Sequence, residues 1–100
     1  MLDIGCGLCH WSKLLIPYLQ SETEVTAMDN DEVWAEGDEQ ILEYFESYGS
    51  NLDFVKGDAH RLPFDDDTFD VVTCQTVLIH LKNPEKALVE MRRVVKPNGI

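Results

Sequence analysis

Two glycines and three acidic residues carry most of the chemistry legible in the chain. Asp3-Ile4-Gly5-Cys6-Gly7 joins an apolar run to a helical pattern. Glycines at such a junction let the backbone approach a ligand closely, and the start of the following helix offers unpaired N–H groups to a carboxylate or phosphate. Asp29 closes a second apolar run 22 residues after Gly7, with Asn30 beside it. That is the spacing at which an acidic side chain accepts hydrogen bonds from ribose hydroxyls, and its charge disfavours a 2′-phosphate. Asp58, between Gly57 and Ala59, follows a third apolar run, where a carboxylate can accept from an exocyclic amine such as that of adenine. A nucleoside is implied. Each feature also has a plainer reading: a generic strand-to-helix turn for Gly5 and Gly7, an Asx turn or cap for Asp29 and Asp58. Their recurrence at three consecutive strand ends favours the ligand.

Positioning these residues requires strands that end where they stand. Met1-Leu2-Asp3-Ile4 reads as the last part of a buried strand. Trp11, Leu14, Leu15 and Tyr18 fall at i, i+3, i+4 and i+7 and predict a short amphipathic helix, which Pro17 should kink or end. Glu24–Met28 predicts a second strand, leading into Asp29-Asn30-Asp31. Val33, Trp34, Ile41, Leu42 and Phe45 supply the apolar face of a second helix, weakened at Gly37 and capped by Gly49. Leu52–Lys56 and Phe69–Cys74 read as the third and fourth strands. Asn83 can cap a last helix, with Pro84 in its first turn, Ala87, Leu88, Met91, Val94 and Val95 as its stripe, and Pro97-Asn98-Gly99 as its stop. The order β-α-β-α-β-loop-β-α predicts one α/β domain over residues 1–100: a Rossmann-like doubly wound sheet of parallel strands with helices on both faces. Ligands bind such folds at the carboxyl ends of the strands, near the switch in strand order.

The composition excludes several function classes. Nineteen acidic against 8 basic residues give a formal charge of -11, which repels a nucleic-acid backbone and anionic lipid headgroups, so no nucleic acid and no membrane is expected to bind this segment. No apolar run nears the roughly 20 residues that span a bilayer, and the first residues lack the pattern of a secretion signal, so a cytoplasmic location is the default expectation. Cys6, Cys9 and Cys74 show no framework spacing and are expected to be reduced thiols in core or loop.

The motifs stand in the order of the class I S-adenosylmethionine-dependent methyltransferases, and the chain resembles the subgroup that includes ubiquinone-biosynthesis and small-molecule methyltransferases. Leu2-Asp3-Ile4-Gly5-Cys6-Gly7 looks like the family's glycine-rich motif, Met28-Asp29 like its ribose motif and Gly57-Asp58-Ala59 like its adenine motif. Leu62-Pro63-Phe64 with Phe69-Asp70-Val71-Val72, then Val77-Leu78-Ile79-His80-Leu81, then Arg93-Val94-Val95-Lys96-Pro97-Asn98-Gly99 resemble the remaining signatures. The resemblance covers nearly the whole chain. It implies S-adenosyl-L-methionine as cofactor, with Asp3, Gly5 and Gly7 at the methionine end, Asp29 at the ribose, Asp58 and Ala59 at the adenine, Gln75 facing the methionine moiety, and Cys6 and Asn30 as further cofactor-binding residues. It also implies a chain cut short before its C-terminal strands, with an open edge on the fourth strand that invites association and a weakly stable fragment; the first strand, whose start is missing, suggests lost upstream residues. Two positions depart from the family. Cys9 and Asn98 stand where it usually has glycine, so Cys9 is expected to narrow the pocket or weaken binding, while Asn98 tolerates the left-handed conformation.

Methyl transfer from a sulfonium is an in-line displacement with a neutral leaving group, and it needs neither metal nor covalent intermediate. Some acceptors need a base. His10, His60 and His80 are the histidines available; His80, five residues beyond Gln75, is the best placed, although a packing or hydrogen-bonding role is favoured for it. The acceptor is expected to be a small molecule. Trp11 is read as a core aromatic rather than a stacking platform, and Arg92-Arg93 as complementing a helix dipole rather than binding an anion.

Three other readings compete. Cys6-Gly7-Leu8-Cys9-His10 matches the C-x-x-C-H pattern of haem attachment, but that chemistry belongs to exported proteins. Zinc binding by Cys6, Cys9 and His10 lacks a second ligand pair. An NAD-dependent oxidoreductase would share Gly5, Gly7 and Asp29, yet its third fingerprint glycine falls at residue 10, which is His10. A non-catalytic methyltransferase-like binding domain is the remaining alternative.

Overall fold

A computed structural model describes residues 1–19, 23–30, 38–75, 77 and 80–100; the expectations placed on Asp31, Val33, Trp34, Gly37, Leu78 and Ile79 lie outside them. Strands β1 (Leu2–Ile4), β2 (Glu24–Asp29), β3 (Asn51–Lys56) and β4 (Val72–Cys74) alternate with helices α1 (His10–Leu15), α2 (Glu39–Glu46, before β3) and α3 (Pro84–Val94, after β4). The sheet order is β3-β2-β1-β4 and every pairing is parallel. The chain therefore moves outward from β1 to β3 and then crosses to the other side of β1. That switch opens a crevice at the carboxyl ends of β1 and β4, as the doubly wound reading expects.

The period of two along each strand divides the core between the two faces. Val25 and Ala27 of β2 pack with Cys6, Cys9, Ile16, Ile41 and Phe45 on the face of α1 and α2. Leu2 and Ile4 of β1 and Met28 of β2 pack with Ala59, Leu62, Phe69, Ala87 and Val94 on the face of α3. Full burial of side chains such as Phe45, Leu2 and Ile4 contributes roughly 1.5–3 kcal/mol each. Asp38 caps α2, its carboxylate accepting from the N–H groups of Gln40 and Ile41, and Asn83 caps α3 by accepting from Lys86 N–H.

Three expectations about the helices need correction. In α1 the buried residues are Ser12 and, just beyond, Ile16, whereas Leu14 is 65% and Tyr18 87% exposed. Pro17 lies in a 3-10 turn (Ile16–Tyr18), whose three-residue repeat rotates Tyr18 off the predicted stripe. In α3, Leu88 is half exposed, and the helix ends at Val94 because Val95 is extended and bridges to Phe69. Lys96 N–H donates to Phe69 O at 2.7 Å. Phe69 is consequently spent on α3's exit, and β4 begins only at Val72.

Arg93 and Trp11 fasten the layers. Rather than merely complementing a helix dipole, Arg93 donates to Phe64 O (2.8 Å), Leu62 O (3.0 Å), Asp66 Oδ1 (2.8 Å) and Glu90 Oε2 (2.7 Å), and Glu90 Oε1 accepts Leu62 N–H (2.8 Å). The Leu-Pro-Phe segment is thus gripped through its backbone by α3. The half-buried Trp11 donates its indole N–H to Thr73 Oγ1 at 2.7 Å, joining α1 to β4. At the outer side of β4, Val72 N–H donates to Ile100 O and Ile100 N–H to Asp70 O, the hydrogen-bond pattern of a parallel partner. Among the described residues no helix is long and apolar enough to cross a membrane.

Candidate functional site

The glycine-rich loop hangs from the end of β2. Gly5 and Cys6 both donate their N–H groups to Met28 O, at 2.7 and 3.0 Å. Gly5 sits at φ +70°, and a β-carbon there would collide with the side chain of Val77, so the backbone runs where only glycine fits. Gly7, at φ +51°, donates its N–H to Asp29 Oδ2 at 3.1 Å, while Asp29 Oδ1 accepts Asn30 N–H at 2.8 Å. Gly57 N–H then donates to Asp29 O at 2.9 Å. The ends of β1, β2 and β3 are in this way hydrogen-bonded to one another through Asp29.

A cavity of about 670 Å³ opens there, within the range of small-molecule and cofactor sites. Gly5, Asp29, Asn30, Asp58, Ala59, Gln75 and His80 all line it, together with His60, Val77, Leu81 and Lys82. Asp58 Oδ1 accepts from both the N–H and the ring Nδ1 of His60, at 2.9 and 2.8 Å, and these bonds hold its carboxyl below the usual carboxylate range. Two carboxylates on successive strand ends therefore line one open cleft.

Asp3, Cys6 and Gly7 stand behind this wall rather than in it. Asp3 is 1% exposed and accepts from Ser12 Oγ at 2.6 Å. Burial pushes its carboxyl up to about 6, the Asp29 charge adding to the rise and the Ser12 bond opposing it. Cys6 is buried, and its thiol is pushed upward by its interaction with Cys9, by burial and by the neighbouring carboxylates. Gly7 contributes through its bond to Asp29.

The expectation that Cys9 narrows the pocket is overturned. Its backbone adopts the left-handed conformation, φ 62° and ψ 24°, which explains why glycine suits this position, but its side chain is fully buried in the core with Ile16, Val25 and Phe45. It does not line the cavity. Asn98, in contrast, takes no left-handed conformation. Cys6, Cys9 and His10 form no convergent metal-binding group among the described residues.

Sequence reasoning treated His60 only as one histidine among three, and missed its bond to Asp58. The available signal was its place two residues after an aspartate that follows a strand, the spacing of an Asx turn. Val77 stood in one of the quoted signatures, but its approach to Gly5 had no signal, because the contact spans β1 and the segment after β4.

Comparison with known proteins agrees with this geometry. A family described as methyltransferase domain matches residues 2–100. The demethylmenaquinone methyltransferase of Staphylococcus epidermidis is 38% identical over 99 residues, covering 99% of this chain and 39% of that protein. The crystal structure of the YcgJ protein from Bacillus subtilis superposes with a TM-score of 0.76 at 34% identity, over 98% of this chain and 40% of that one. The crystal structure of the [4+2]-cyclase SpnF superposes with a TM-score of 0.76 at 25% identity, over 96% of this chain and 34% of that one. The chain spans about two fifths of the length of the curated relatives it matches. With the family matching almost from end to end, and the parallel order and strand-end cavity in place, this chain belongs to the methyltransferase domain family.

Proposed function

We propose that the chain forms the S-adenosyl-L-methionine-binding core of a cytoplasmic methyltransferase acting on a small-molecule acceptor. The observation that carries this reading is the convergence of Asp29 and Asp58, from consecutive strand ends, on one cavity walled by Gly5. Asp29 accepts from the ribose hydroxyls. Asp58 accepts from the adenine amine beside Ala59, and Gly5 and Gln75 flank the methionine end. Asp3, Cys6, Gly7 and Asn30 act by holding the loop and the Asp29 carboxylate in place.

The bound cofactor supplies an electrophilic methyl group on a sulfonium. The chain's own residues bind and orient it, and holding two reactants in line supplies roughly 7–11 kcal/mol of a barrier. His80, on the cavity wall, is the candidate to take a proton from an acceptor that must lose one. The relative named for demethylmenaquinone and the formal charge of -11 support a small acceptor over nucleic acid. A second reading, in which the fold binds a ligand without transferring a methyl group, is raised by the likeness to SpnF, a protein named for a [4+2] cyclisation.

Calorimetric titration with S-adenosylhomocysteine tests the proposal. The protein is expected to bind it saturably and to ignore NADH, and Asp29→Ala is expected to weaken binding about tenfold or more, the effect of losing hydrogen bonds to a charged acceptor. Absence of binding by folded protein, or equal binding by Asp29→Ala, would sink the reading. Binding without turnover of S-adenosylmethionine in the presence of candidate quinol and phenol acceptors would favour the second one.

A further inference from the structure

The side chain of His60 is held at both ring nitrogens. Nε2 lies 3.1 Å from the backbone N of Asn83, the residue that caps α3, and Nδ1 lies 2.8 Å from Asp58 Oδ1. A backbone N–H can only donate, so Nε2 offers its lone pair, and in the neutral ring the proton must sit on Nδ1 and point at Asp58. The tautomer is therefore dictated by its neighbours. Asp58 Oδ1 also accepts His60 N–H at 2.9 Å, so one carboxylate oxygen receives two donors from the same residue. Among the described residues no donor meets Oδ2.

Exposure makes this bracing consequential. The Asp58 side chain is 66% exposed and the His60 side chain 20%. A carboxylate that open would otherwise rotate among rotamers in water. Lys86 acts on Asp58 through its charge alone, without fixing its direction. His60 supplies that direction, and it borrows its own rigidity from the first turn of α3. Both residues line the cavity.

Resting on the adenine reading of Asp58 given above, we propose that His60 is a positioning residue that orients the Asp58 carboxylate and so makes the cavity select a 6-amino purine over a 6-keto purine. An ionised carboxylate accepts from an exocyclic amine and repels the lone pairs of a carbonyl. The discrimination depends on the carboxylate staying aimed at the base edge.

The test compares affinities for S-adenosylhomocysteine and its 6-keto analogue, S-inosylhomocysteine, in the wild type, His60→Ala and His60→Asn. The wild type should favour the adenosyl compound about tenfold or more, and His60→Ala should reduce that ratio to about threefold or less with little change in affinity for the inosyl compound. Asn retains an N–H near the place of Nδ1, so His60→Asn should recover most of the preference. A wild-type ratio in His60→Ala overturns the proposal. A check that needs no variant is the His60 side-chain NMR signal of the folded wild type: an Nδ1–H tautomer supports the assignment, and an Nε2–H tautomer overturns it. If the wild type binds neither compound, the cofactor reading fails; if it binds both and only the His60→Ala ratio is unmoved, the role of His60 fails alone.

Discussion

The hydroxyl of Ser12 donates to Asp3 Oδ2 at 2.6 Å, and the two residues are 0% and 1% exposed. This bond joins β1 to α1 directly beneath the glycine-rich loop. It also explains why a serine occupies the inner face of a short helix while Leu14 points outward. A buried carboxyl needs a partner, and the geometry of α1 supplies one at the cost of the apolar stripe.

Asp3 makes stability depend on pH. Its carboxyl is raised from 3.8 to about 6, so between those values the folded state holds a proton that the unfolded chain has released. The contribution is fully present below about 4 and is lost as pH rises through about 6, with a total of about 3 kcal/mol. Urea unfolding of wild type and Asp3→Asn from pH 4 to 7 measures it. The Asn variant should gain on the wild type across that window, and curves that stay parallel would refute the assignment.

Gly5→Ala and Gly7→Ala should separate two effects. Both residues have positive φ, so either substitution costs about 1 kcal/mol through the backbone alone. Only the Gly5 variant also collides with Val77, whereas nothing lies within 4 Å of a β-carbon at Gly7. Chemical denaturation should therefore show Gly5→Ala as the more destabilised variant, and equal losses would mean that Val77 moves aside freely.

Cys9 offers a direct measure of left-handed strain. Cys9→Ala keeps the strain and removes a buried thiol, while Cys9→Gly relieves it. The glycine variant should be the more stable of the two by roughly 1–2 kcal/mol, read as a difference in unfolding free energy. Because Cys9 packs into the core and not into the cavity, neither variant should change affinity for S-adenosylhomocysteine by more than about twofold, well under 1 kcal/mol.

Arg93 should resist conservative replacement. Its planar fork bonds the carbonyls of Leu62 and Phe64 at once, and a lysine, with one ammonium, cannot reproduce both. Thermal melting should fall for Arg93→Lys and further for Arg93→Met. An unchanged melt for the lysine variant would show that charge alone holds the 62–66 segment.

Much of this was legible before folding. The glycine pair, Asp29 and Asp58 mark strand ends because each needs a local property: freedom at positive φ, or a lone acceptor after an apolar run. The caps Asp38 and Asn83 illustrate both sides. Asn83 was readable from the following Pro84 and the strong α3 pattern. Asp38 was hidden in a run of acidic residues, where only the backbone shows which one accepts from Gln40 and Ile41.

Sequence by itself determined the alternation of strands and helices, the doubly wound class and some of the residues on the cavity wall, among them Gly5, Asp29 and Asp58, because those follow from periodicity and from residue types with few alternative uses. Tertiary structure alone decided which face Cys9 points to, that Asp3 is sealed against Ser12, that Arg93 binds the Leu-Pro-Phe backbone and that His60 is clamped between Asp58 and Asn83. Each of these joins residues that are distant in the chain or depends on the rotation of a side chain about its own backbone. Such contacts follow from how layers pack, and apart from the Asx-turn spacing of Asp58 and His60 no local pattern encodes them.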